Sequence, residues 1–189
     1  MSYLIPEEYN LLPTESKINY KILKPIIESY YRINIFQYNF PESIFNDIHI
    51  LVLLIDSYID RKNNCHKNFT YNLEDIKEKI TDSSIFTVNR CKQMIRLLYN
   101  YELNLMLEVL QNIFSESILS DYNVINELMS KYNYCWIQND PDFRYNIKSK
   151  EIAKTFIEFD YKTFEHLPND YQEDIELLTI KFEKQIYYK

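Results

Sequence analysis

Cys65, His66, Cys135 and His166 are residue types that hold zinc. Their spacing matches no standard finger, in which ligands come as close pairs, so Cys65–His66 reads as a loop pair and no metal or cofactor is expected. His49 lies between apolar residues with no nucleophile near it in sequence, and it reads as a satisfied core histidine rather than a general base. Asp140 and Asp142 flank Pro141, ahead of Phe143 and Arg144. Paired carboxylates can divide acid and base roles, but an Asx turn with solvated carboxylates uses the same residues and is the reading preferred. The chain contains no glycine. Phosphate-cradling loops, the GxGxxG turn and the GxSxG elbow need glycine, for positive φ or close backbone approach, so none can exist in standard form. An enzyme is not expected.

Helical periodicity dominates the elements that would position these groups. Glu15 to Leu23 reads as helix, interrupted at Pro25, and Ile26 to Gln37 as a second piece. Pro41 fits a first helical position, followed by Ile44, Ile48, Leu51, Ile55 and Tyr58 or Ile59 along one face. The six residues Ile50 to Ile55 are apolar all round, which marks this helix as the buried central one. Asn72 and Asp75 form a capping box for a short helix. Residues 84–119 read as one long or kinked helix, or two, and Asp121 to Tyr132 as another. Ser149 caps a helix carrying Ile152, Phe156 and Phe159. The last helix is expected to start at Asn169 or Asp170, with Tyr171, Ile175, Leu178, Phe182 and Ile186 inward and Glu173, Glu176 and Glu183 outward. The fold expected is all-α: one domain over 1–189, a bundle of about seven helices. Without glycine, helix C-termini should use Asn or fray.

At 189 residues, 46% hydrophobic, the chain can bury a sizeable core without a disulfide or metal. An odd cysteine count without CxxC spacing suggests a reduced, cytoplasmic chain. The first residues hold neither a basic nor a long apolar region, so no signal peptide is expected. The longest apolar run is far below the roughly 18 residues of a membrane span. The 18 tyrosines suggest base stacking, yet a net charge of −7 without a basic cluster argues against direct nucleic-acid binding.

One stretch carries most of that charge. Glu158, Asp160, Glu165, Asp170, Glu173, Asp174 and Glu176 stand against Lys162 as the only base, a local charge of −6. Acids in a first turn favour a helix through its dipole, which accounts for Asp170, Glu173 and Asp174. Glu158, Asp160, Glu165 and Glu176 are left without basic partners nearby in sequence. A face of this kind steers a basic protein, and Glu158, Asp160, Glu165, Asp170, Glu173 and Glu176, with Asp140 and Asp142, are the expected partner-binding set.

Ile152–Ala153–Lys154, then Asp160, then His166, Pro168 and Asp170 resemble a stretch of PoNe-type immunity proteins, which neutralise bacterial DNase toxins. The resemblance spans residues 151–171. It implies a helical, acidic antitoxin of polymorphic-toxin or contact-dependent inhibition systems, bound to a cognate toxin domain, a nuclease, with no catalysis of its own. The alternative comes from another class. An apolar central helix ringed by amphipathic ones also looks like the viral apoptosis-regulator fold, which implies an inhibitor of apoptosis or innate signalling that binds a partner helix.

Overall fold

The computed structural model describes residues 4–28, 37–63, 73–98, 100–132 and 147–187, the side chains of 61–63 excepted. These residues are all-α: twelve α-helices and three short 3-10 helices, with no strand among them. They fall into two compact units, Met1–Ile85 and Phe86–Lys189.

In the first unit α1 (Pro6–Asn10), α2 (Thr14–Lys17) and α3 (Tyr20–Glu28) lead to a 3-10 helix, Glu42–Asn46. The helical break expected at Pro25 falls earlier. Asn19 Oδ1 accepts the Lys21 N–H at 3.0 Å and starts α3, while Pro25 is carried inside that helix. Pro41 precedes the 3-10 helix instead of opening the central helix. Asp47 ends that turn, and its Oδ1 accepts the N–H groups of His49 (2.8 Å) and Ile50 (3.3 Å), so α4 (Ile48–Asn63) begins there. Ile48, Ile50, Leu51, Val52, Leu54, Ile55 and Ile59 are all buried, which makes α4 the buried central helix of this unit. His49 is exposed on its first turn, which corrects the core reading. The side chain follows the capping turn, not the apolar face. Packed against α4 are α3, the 3-10 helix and α5 (Leu73–Lys79). Asn72, the expected cap of α5, lies outside the described residues. Tyr9, Tyr38, Phe40 and Phe45 pack ring on ring at 5.3–6.4 Å, so these aromatics serve the core.

The second unit runs α6 (Val88–Leu97), α7 (Leu103–Ile113), α8 (Glu116–Leu119), α9 (Tyr122–Lys131), α10 (Lys150–Phe159), a 3-10 helix Tyr161–His166, α11 (Asn169–Gln172) and α12 (Ile175–Tyr187). The stretch 84–119 is thus broken into several pieces. Arg96 forks onto Glu127 at 2.8 and 2.6 Å, tying α6 to α9 and holding the Glu127 carboxyl below the usual range. Lys131 reaches from α9 to the end of α6, where its Nζ donates to Leu98 O at 2.8 Å. Burial pushes this lysine down to about 8. Cys91 is buried, and burial pushes its thiol up to about 12, which makes it inert.

The missing glycine shapes how these helices end. At the described helix C-caps φ stays negative, between −145° and −75°, and Asn occupies none of them. At these caps the chain leaves through an αR or extended residue, Leu98 (φ −87°, ψ 30°) excepted. Asp or Ser then starts the next one: Asp121, Ser149 and Asp174 each accept N–H groups of the first turn ahead. Frequent caps of this kind divide about seven expected helices into a larger number of short ones.

The last helix departs most from expectation. Asp174, not Asn169 or Asp170, caps it, through N–H groups of Glu176 (2.9 Å) and Leu177 (3.2 Å). Leu177 is 0% exposed, whereas Ile175 is 80%, Phe182 56% and Ile186 73% exposed. Of the expected inner face, Ile175, Phe182 and Ile186 therefore point outward while Tyr171 and Leu178 are half-buried, and α12 docks through Leu177 with half-buried Ile180, Lys181 and Lys184.

Candidate functional site

The acidic stretch sits on α10, the following 3-10 helix, α11 and α12. Ser149 Oγ accepts the Ile152 N–H at 3.3 Å and fixes the start of α10. Ile152, Ala153, Thr155, Phe156 and Ile157 are buried, so at 100° per residue Glu151, Lys154 and Glu158 share the opposite face. Asp160 then breaks the helix: its Oδ1 accepts the Lys162 N–H at 3.0 Å, and its carbonyl accepts the Thr163 hydroxyl at 2.8 Å. Gln172 folds α11 back, donating to Leu167 O at 2.8 Å and Glu165 O at 3.2 Å.

Three lysines overturn the view that these acids lack basic partners. Lys150 Nζ lies 2.8 Å from Asp174 and 2.9 Å from Glu176. Lys154 reaches Glu176 at 3.4 Å, and Lys181 reaches Glu165 at 3.8 Å while lying over the Phe164 ring. Lys150 lowers both carboxyls it touches, by its hydrogen bonds first, and the backbone N–H groups of α12 add to the effect on Asp174. The sequence window missed these lysines because they lie before or after it in the chain. Lys150 and Lys154 are spaced i, i+4 on α10, which was the available signal.

Those bridges also order the surface. The start of α10 meets the start of α12, and Lys181 further along α12 meets the 3-10 helix that follows α10. At 100° per residue Glu151 and Glu158 form one row on α10 with Lys150 and Lys154 beside them, and Glu176 and Glu183 share a row on α12. Beyond these comes the outward stripe of Ile175, Phe182 and Ile186.

Of the expected residues, Asp160 is engaged as a cap, and Glu165 and Glu176 are engaged by lysines. Glu158, Asp170 and Glu173 have no cationic partner among the described residues, and Glu151 and Glu183, outside the sequence window, join them. Asp140 and Asp142 lie outside the described residues, as do Cys65, His66 and Cys135. Among the described residues no group of three or more His, Cys, Asp or Glu side chains is placed to hold a metal ion, and no helix is long and apolar enough to cross a membrane.

Most positions that carry the immunity-protein resemblance have structural duties here. Ile152 and Ala153 are buried, Lys154 bridges to Glu176, Asp160 caps, and Pro168 precedes α11. Asp170 is exposed. The described residues of the second unit are thus all-helical, with exposed carboxylates and an exposed apolar stripe on α12. No family model matches the chain, and no curated protein or solved structure matches it either.

The lysine bridges carry a pH dependence. Asp174 and Glu176 have folded-state values below their unfolded ones, so their contribution is present above about 4 and lost as pH falls through the depressed values. Lys150→Met is expected to flatten this acid limb. The unfolding midpoint followed from about pH 7 to about pH 2 checks it; an acid limb as steep as the parent's means that the bridges add nothing.

Proposed function

We propose that this chain is an immunity-type inhibitor: it binds a basic protein toxin, a nuclease domain, through the acidic face of its second unit, and performs no catalysis itself. The supporting observation is the set Glu151, Glu158, Asp170, Glu173 and Glu183. These carboxylates stay without cationic partners among the described residues, although lysines of α10 and α12 engage Glu165, Asp174 and Glu176. Like charges held together cost stability unless screened, and a basic partner both relieves that cost and is drawn in faster by it. The resemblance over 151–171 supplies the toxin class. A nuclease that grips phosphates offers the positive surface such a face fits.

The test is co-expression with the C-terminal domain of the neighbouring upstream reading frame, which this reading expects to be the toxin. Cells are expected to survive the toxin only when this chain is present, and the purified pair to form a complex that weakens steeply with salt. Survival that does not depend on this chain rejects the reading.

A further inference from the structure

We propose that the outward stripe of α12 is itself a docking site, and that its occupant is an amphipathic helix of the partner whose apolar face is edged by lysine or arginine. This rests on the proposed function and specifies how the partner is held.

Ile175, Thr179, Phe182 and Ile186 follow one another at steps of four, three and four along α12. That spacing keeps them on one face, directly opposite buried Leu177. Ile175, Phe182 and Ile186 are more than half exposed. Scattered apolar residues on a surface are ordinary, but a continuous row over three turns is the pattern of helix-to-helix packing. The helix is 13 residues long, enough to match a partner helix of about four turns.

Charge selects the occupant. One border of the stripe is Glu176 and Glu183; Glu176 is held by Lys150 and Lys154, and Glu183, with no cationic partner among the described residues, is the open charge of that border. The other border is Leu178 and Gln185, which carry no charge. Two copies of this chain paired antiparallel would set the glutamate border against itself, and paired parallel would set it against Leu178 and Gln185. Neither arrangement supplies a cation. A partner helix with basic residues beside its apolar face satisfies both features at once.

The experiment uses the full chain and two synthetic peptides of about four turns. Both have the same leucine face, flanked in one by lysine and in the other by glutamate. The lysine-edged peptide is expected to bind in fluorescence anisotropy and the glutamate-edged peptide to fail. Phe182→Ser should weaken binding by about tenfold or more, and Glu183→Gln should flatten its salt dependence, each variant keeping parent-like circular dichroism. Equal affinity for parent and Phe182→Ser overturns the inference. So does a dimer of the parent chain in light scattering that Phe182→Ser dissociates, because the occupant is then a second copy. Protection against the toxin separates this inference from the function it rests on. Protection kept by Phe182→Ser but lost on reversing Glu158 and Glu173 retains the function and rejects the stripe. No protection by the parent chain rejects the function.

Discussion

Replacing Phe156 by alanine is expected to destabilise the second unit by about 3–5 kcal/mol, a change of roughly 100-fold or more in its folding equilibrium. Phe156 is 0% exposed and lies on α10, the helix that packs against α8, α9, α12 and the 3-10 helix Tyr161–His166. Truncation there removes a fully buried aromatic side chain from a helix held by four elements, and a close-packed interior relaxes only partly around such a gap. Urea unfolding followed by circular dichroism reads the loss, and amide exchange of α10 assigns it to this unit. The informative control is Ile175→Ala. A helix docked by the face that periodicity first suggests would lose several kcal/mol on that change, whereas at 80% exposure the effect is expected within about 0.5 kcal/mol. A small loss at Phe156 and a large one at Ile175 would contradict the packing described.

That control marks where the sequence stopped being legible. Ser149 followed by Ile152 and Phe156 was readable because a cap and one apolar face agree, and α10 forms as expected. The six apolar residues Ile50 to Ile55 likewise named the buried helix, since every face of that stretch is apolar. On α12 there are two apolar sides: Ile175, Phe182 and Ile186 on one, Leu177 and Ile180 on the other. Periodicity says which residues share a face, but which face docks is decided by α10 and the 3-10 helix against it. The wider row lost because the inner face also carries Lys181, placed to reach Glu165 and to lie over Phe164. Helix starts went wrong for a related reason. Asp174 could cap as well as Asp170 could, and its capture by Lys150 from another helix favours that choice. The acidic stretch was visible as composition, whereas its division into engaged and open carboxylates depends on contacts between residues far apart in the chain, such as Lys154 with Glu176 and Lys150 with Asp174.

The division into engaged and open carboxylates makes the charge-reversal experiment sharper. Reversing Glu158, Asp170 and Glu173 to lysine together should slow association with a basic toxin domain by about tenfold or more at low salt. The three side chains form no ion pair or cap among the described residues, so fold and thermal midpoint should stay near the parent's. Reversing Asp160, Glu165 and Glu176 is a different experiment. It breaks the 3-10 cap and the bridges to Lys181, Lys150 and Lys154, and any loss of binding would be mixed with a loss of structure. Stopped-flow association at rising ionic strength separates steering from contact. For the parent the on-rate should fall steeply as the Debye length shrinks from about 30 Å at 0.01 M to about 8 Å at 0.15 M. For the triple reversal it should become nearly flat or rise, because the remaining face repels less as salt screens it. Dissociation rates should change much less than association rates, since rim charges act mainly on encounter. An unchanged on-rate and salt slope in the triple reversal would place the toxin elsewhere on the chain.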